Sequence, residues 1–184
     1  MTRLDRNDAI LAVIDVQERL MAVIHDAREV ETNVVRLVRG CHILGVPVVV
    51  TEQYPRGIGP TTEAIRAAMF DTGTGEPFQK MCFSGLGSDE LASALRHSKR
   101  HQVILCGVES HVCVFQTCRD LLVNDYEVFI AADATSSRTL RNRELALRRM
   151  TDDGARLTTT EMALFEMTAV SGTDEFRAIS TLVK

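Results

Sequence analysis

Three residues of unlike chemistry stand far apart in the chain and could act together. Asp15 sits in the apolar run Leu11-Ala12-Val13-Ile14-Asp15-Val16. A carboxylate ending a buried strand is costly unless it is paired or hydrogen-bonded. It either caps the following turn or, partly desolvated, serves as a general base. Cys113 closes the segment Gly107-Val108-Glu109-Ser110-His111-Val112-Cys113 and precedes a helical pattern of Val114, Cys118, Leu121 and Leu122. A thiol at a helix N-terminus is expected to be stabilised as thiolate by the positive end of the dipole, and free amides there can receive an oxyanion. The plainer reading of Cys113 is a small buried hydrophobe. Lys80, bracketed by Phe78 and Phe83, is either an ordinary surface lysine or a partner for Asp15 that holds a positive field over the thiolate.

The other reactive residues say less. Cys41, Cys106 and Cys118 lie inside apolar patterns and read as core; Cys82, close to Lys80, fits either role, and Cys113 and Cys118 do not form a C-x-x-C pair. His97 and His101 have helical spacing, but the apolar run from Gln102 places a helix end between them, and two histidines alone define no metal. His111 is an alternative base for Cys113, although a neighbour two positions away on a tight loop usually points elsewhere. Arg138, Arg141, Arg143, Arg148 and Arg149 read as a solvated helix face. No GxGxxG, Walker A or zinc-finger spacing is present.

These residues need elements to position them. Residues 11–16, 47–51, 102–106 and 127–132 are continuous β-branched runs without alternation, the pattern of strands covered on both faces. Weaker strand signals lie at residues 78–83 and 155–159. Val30, Val34, Leu37, Val38, Cys41 and Leu44 trace one helix face, and Gly45 closes it. Leu140, Leu147 and Met150 trace another before Gly154. Thr158-x-x-Glu161 reads as a capping box, with Thr158 accepting from the Glu161 amide. Residues 53–62 and 71–77, rich in Gly and Pro, read as loops. Strand–helix–strand alternation predicts an α/β fold with right-handed crossovers. In such a sheet ligands bind beyond the carboxyl ends of the strands, where Asp15, residues 51–54, residues 79–81, residues 107–113 and Asp133 to Ser137 all fall.

Composition sets the frame. A chain of 184 residues with 45% hydrophobic and 25% charged content predicts one globular domain, residues 1–184, and excludes disorder. A net charge of −4 argues against nucleic-acid partners. No apolar run approaches the ~18 residues of a membrane span. The polar start Met1-Thr2-Arg3-Leu4-Asp5-Arg6-Asn7-Asp8 does not read as a secretory signal. Five cysteines without an export signal suggest reduced thiols and a cytoplasmic location.

Asp15 in Val-Ile-Asp-Val-Gln, Lys80, and Cys113 in Gly-Val-Glu-Ser-His-Val-Cys-Val together resemble the isochorismatase-like cysteine hydrolase superfamily. The likeness runs from about Leu11 to Leu164. Val50-Thr51-Glu52-Gln53-Tyr54-Pro55-Arg56-Gly57-Ile58-Gly59 and Ala132-Asp133-Ala134-Thr135-Ser136-Ser137-Arg138 are similar to its isochorismatase-domain-containing subgroup. The resemblance implies a three-layer sandwich around a six-stranded, mostly parallel sheet. It implies a catalytic triad of Asp15, Lys80 and Cys113, a cis peptide between Val108 and Glu109, and an oxyanion hole from the Glu109 and Cys113 amides. Gln17, Tyr54, Phe83 and His111 are expected to line the substrate pocket, with Glu109 near them.

The resemblance also sets limits. Nicotinamidases of the superfamily carry Asp and His metal ligands in an Asp-Trp-His-Pro-like run, and Glu52-Gln53-Tyr54-Pro55 has no histidine there. No metal and no cofactor are therefore expected. Isochorismatases that act on a vinyl ether often lack the cysteine, so Cys113 points away from that chemistry. The expected activity is metal-independent hydrolysis of a small amide, ureido or related acyl carbonyl compound through a covalent acyl-enzyme. The alternative is a scaffold protein that keeps the fold without turnover. No nucleic-acid or membrane partner is expected. A homo-oligomer, dimer or higher, is, with Phe176, Ile179, Leu182 and Val183 either at an interface or packed on their own sheet.

Overall fold

A computed structural model describes residues 3–184; Met1 and Thr2, within the polar start, lie outside it. Six parallel strands form one sheet in the order β3-β2-β1-β4-β5-β6. They are β1 (Ala9–Ile14), β2 (Val48–Gln53), β3 (Phe78–Lys80), β4 (Gln102–Val108), β5 (Glu127–Ser136) and β6 (Arg156–Thr158). The architecture is the expected α/β sandwich. The continuous apolar runs follow from helices on both faces. Leu11 and Val13 of β1 join one core with Ile104, Cys106 and Phe129, while Ile10, Ala12 and Ile14 join the other with Val103, Leu105 and Ile130. Successive residues of one strand thus enter opposite cores, so the middle of the strand is apolar at every position.

The first core is covered by α2 (Ala27–Ile43), α4 (Glu63–Thr72), α8 (Thr160–Thr168) and α9 (Asp174–Leu182). The second is covered by α5 (Asp89–Ser98), α6 (Phe115–Val123) and α7 (Leu140–Asp152). The helix after the first strand ends as its pattern predicts, with Gly45 at φ +70°. The C-terminal apolar residues settle on their own domain. Ile179 is fully buried, Leu182 and Val183 pack beside it, and Phe176 meets Phe165 at 6.0 Å between ring centroids.

Three local expectations need correction. The residue that caps α8 is Thr159, whose hydroxyl accepts from the Met162 amide at 3.2 Å; Thr158 belongs to β6 and donates to the Thr159 carbonyl instead. Residues 53–62 are not all loop, because β2 runs through Gln53 and Pro55–Ile58 forms a short helix, α3, with the proline in its first turn where no amide donor is needed. The arginine run is not simply a solvated face. Arg138 pairs with Glu109, Arg143 donates to the carbonyls of Thr135 and Ala132, and the Arg149 guanidinium lies 4.5 Å from the centre of the Phe115 ring.

The sheet places a site at its middle. The chain builds outward from β1 through β2 to β3, then returns to start β4 on the other side of β1. Beyond the carboxyl ends of β1 and β4, the flanking connections diverge and leave a crevice. Gly107 lets the two strands meet there. It lies opposite Ile14 at φ +112°, and a Cβ on it would sit 2.1 Å from the Ile14 carbonyl oxygen.

Candidate active site

Asp15 immediately follows β1 in a left-handed backbone conformation, φ +52°, and is fully buried. Aspartate tolerates that region better than most side chains. Its carboxylate has two hydrogen-bond partners. Oδ2 accepts from the Lys80 ammonium at 2.6 Å, and Oδ1 accepts from the Thr51 hydroxyl at 2.7 Å. The Cys113 thiol is near enough for the Asp15 charge to act on it. A buried carboxylate held this way meets the requirement that buried charge be paired.

Lys80 ends the edge strand β3, and its side chain reaches under β2 to Asp15. Besides Asp15, Nζ donates to Gln53 Oε1 at 2.9 Å, the Phe83 carbonyl at 3.0 Å and the Cys82 carbonyl at 3.2 Å. Four acceptors surround three N–H bonds, so every proton of the ammonium is engaged within the protein. The loop after β3 therefore wraps the cation with backbone carbonyls. The Gln53 side chain closes the remaining side, anchored in turn by its own Nε2 on the Met81 carbonyl at 2.9 Å.

Cys113 enters from the other half of the sheet. After β4 the Val108–Glu109 peptide is cis, and residues Ser110–Val114 form a π turn that leads into α6. The Glu109 carbonyl accepts from the amides of Val112 at 3.0 Å and Val114 at 3.3 Å. Thr117, one turn on, donates to the Cys113 carbonyl at 2.7 Å. The sulfur is almost enclosed, with Cys113 only 5% exposed. Burial pushes its pKa up to about 12, the Asp15 charge adds to that, and Lys80 opposes it only in part. Burial and the Asp15 charge thus act against the thiolate that the helix start was expected to favour, and the Lys80 charge acts for it.

The remaining sequence candidates separate. Tyr54, at φ +38° and 46% exposed, lines a cavity of about 340 Å³ with Pro55, Arg56, Gln79, Lys80 and Met81. Phe83 is half exposed beside the same loop. His111 points away from the sulfur, with Nδ1 3.0 Å from Ser137 Oγ and Nε2 3.3 Å from Asn142 Nδ2. Gln17 is not a pocket residue. It is fully buried, its Nε2 donates to the carbonyls of Gln53 and Gly59, and its Oε1 accepts the Gln53 amide, so it clamps the end of β2. Glu109 is buried against Arg138. Residues 51–54, which the sequence places at a strand's carboxyl end, do take part: Thr51 fixes the Asp15 carboxylate and Gln53 holds Lys80, roles that position alone did not specify. Their signal was the buried polar run Thr51-Glu52-Gln53 at a strand end, where an apolar strand has no reason to turn polar. Glu52 serves its loop by accepting from the Thr61 amide and hydroxyl at 2.6 and 2.8 Å. Among the described residues, no three His, Cys, Asp or Glu side chains converge as metal ligands would. All five cysteines are free.

A doubly covered parallel sheet with acid, amine and thiol gathered at its switch point is the arrangement of an α/β enzyme. A family model described as the isochorismatase domain matches residues 9–162. The chain is 39% identical to the secreted isochorismatase effector Isc1 of Phytophthora sojae, over 99% of this chain and 87% of that protein. It is 35% identical to isochorismatase domain-containing protein 2 of Danio rerio, over 98% of this chain and 89% of that one. A solved structure described as the MAR1 ribonuclease of Caenorhabditis elegans superposes with a TM-score of 0.91 at 34% identity, covering 99% of this chain and 92% of the other. The chain belongs to the isochorismatase family.

Proposed function

We propose that the protein is a cysteine hydrolase that cleaves a small amide, ureido or related acyl carbonyl compound through a covalent thioester. The observation that carries this reading is the buried Lys80–Asp15 pair at 2.6 Å, with the enclosed Cys113 thiol within reach of both charges. Asp15 takes the thiol proton as the sulfur attacks the carbonyl carbon, so the negative charge moves to the carbonyl oxygen. The amides of Glu109 and Cys113 receive the oxyanion; one such donor is worth ~3 kcal/mol in hydrolase sites. The tetrahedral centre collapses, the C–N bond breaks, and the leaving nitrogen takes the proton from Asp15. Water then gives a proton to Asp15 and attacks the thioester, releasing the acid and restoring the thiol. Lys80, with no free N–H for substrate, keeps the Asp15 carboxylate in position.

A test is a screen of small amides with Cys113→Ala as control. Turnover lost in the variant, with a mass increment on Cys113 in the wild type on brief exposure to substrate, supports the reading. Turnover that persists in Cys113→Ala ends the nucleophile assignment. A wide screen without turnover favours the scaffold reading. The identity to a protein described as a ribonuclease gives RNA a place in the same screen, and RNA cleavage that depends on Cys113 would replace the amide reading. We also propose that the chain self-associates, which light scattering tests directly.

A further inference from the structure

Thr117 has a buried hydroxyl that the proposed mechanism does not use. It stands one turn beyond Cys113, within α6, and is 1% exposed. Its Oγ1 donates to the Cys113 carbonyl at 2.7 Å, an ordinary bond from a helical threonine to the residue four positions back. The acceptor side of the same oxygen is not ordinary. It takes the backbone amide of Gly85 at 2.8 Å, 32 positions away in the connection that follows β3. That amide has no other acceptor among the described residues.

Gly85 opens a 3-10 turn, Gly85–Gly87, at the end of the loop that wraps Lys80. Only Ser84 separates it from Phe83, whose carbonyl, with that of Cys82, accepts from Lys80 Nζ. Lys80 in turn holds Asp15 at 2.6 Å. The two segments meet closely, since a Cβ on Gly85 would sit 3.3 Å from Thr117 Cγ2. A hydroxyl carries one proton and two lone pairs, so Thr117 serves both backbone groups at once, and no apolar side chain of its shape can. The Cys113 carbonyl belongs to the peptide that leaves the nucleophile. Holding it restricts the backbone rotation that would swing the sulfur.

We propose that Thr117 is a positioning residue: its hydroxyl ties the turn that carries Cys113 to the loop that holds the Lys80–Asp15 pair, and so keeps nucleophile and base in register. The kinetic consequence rests on the hydrolase reading. The reactivity of the thiol can be measured without turnover.

Thr117→Val keeps the shape and removes both bonds, and Thr117→Ser restores them. The first readout is kcat and KM on an amide that the wild type turns over. Thr117→Val is expected to lose ~10- to 100-fold in kcat with KM within ~2-fold, and Thr117→Ser to recover most of the rate, because misplacing a reacting group costs rate and not binding. The second is alkylation of Cys113 by iodoacetamide, in which an S–C bond forms as iodide leaves and the thiol proton passes to Asp15. Peptide mass spectrometry follows it, with glutathione in the same tube as reference. Its rate is expected to fall ~5-fold or more in Thr117→Val, as the sulfur moves off its base, and to return in Thr117→Ser. A rise would show that the hydroxyl only closes the turn over the sulfur. A rise, an unchanged rate, a loss in KM alone, or no rescue by Thr117→Ser overturns the proposal. Where Thr117→Val does not fold, the wild type decides, by hydrogen exchange at the Gly85 amide before and after Cys113 is alkylated. An adduct that displaces its own turn should change that exchange ~3-fold or more through the tie; constant exchange overturns the proposal. Thiol effects without amide turnover would refute the hydrolase reading alone. Cys113-dependent turnover that Thr117→Val leaves unchanged would refute this inference alone.

Discussion

The Lys80 ammonium lies 2.6 Å from the Asp15 carboxylate, and neither side chain has any exposed surface. Two charges taken out of water are tolerable together and costly apart. Lys80→Met should therefore destabilise the fold by ~3–5 kcal/mol, because it leaves Asp15 buried and unpaired. Adding Asp15→Asn to the same chain should recover part of the loss. Urea unfolding of the wild type, both single variants and the double variant measures the coupling; additive losses would mean that the two groups do not depend on each other.

Thr51 holds the Asp15 carboxylate from the side opposite Lys80, accepting the Asp15 amide at 3.3 Å while donating to Oδ1 at 2.7 Å. Thr51→Val keeps the shape and removes both bonds. If Asp15 is the base, the variant should lose ~10- to 100-fold in kcat with KM little changed, since small misplacement of a catalytic group has effects of that size. Thr51→Ser should restore most of the rate. A loss in KM with kcat intact would show that Thr51 serves binding instead.

Four buried thiols make the fold sensitive to alkali. Burial pushes Cys41, Cys113 and Cys118 up to about 12, from an ordinary value near 9, and raises Cys106 well above that value too. In the unfolded chain these thiols ionise near pH 9, while in the folded chain they keep their protons. The stability they confer is complete below pH 9 and is lost as the pH rises toward 12. Each contributes a slope approaching ~1.4 kcal/mol per pH unit in that window. Cys41→Ala should lower the slope of stability against pH by about one thiol's share, read from urea midpoints between pH 8 and 11. An unchanged slope would mean that Cys41 already ionises in the native state.

Gly107→Ala should unfold the protein or destabilise it by more than ~3 kcal/mol, because the added methyl would collide with the Ile14 backbone in a conformation that disfavours a side chain. Thermal unfolding measures the loss. A folded variant of unchanged stability would show that β1 and β4 can separate at the site.

The strands were legible in the sequence because the middle of a doubly covered strand must be apolar, and residues 103–106 or 128–132 admit little else. The Asp15–Lys80 pairing was legible for a related reason: a polar residue that ends such a run needs a partner. What spacing alone does not carry is side-chain direction. Gln17 reads as a polar pocket residue and proves to be a clamp on β2. Adjacent threonines at 158 and 159 offer two caps of equal chemistry, and only the end of β6 chooses between them. The helix start before Cys113 was visible in a pattern, whereas the enclosure of the residue by the π turn was not.

The order in which the sheet is laid down bears on how its charges become dry. Asp15 and Lys80 belong to the strands made first, and β4 reaches its place beside β1 only later in the chain. The β4 pairing covers the inner edge of β1 beside the carboxylate–ammonium pair, and the chain that leaves β4 is the one that carries Cys113. The contact that dries the charges and the segment that delivers the sulfur are thus one piece of the sheet.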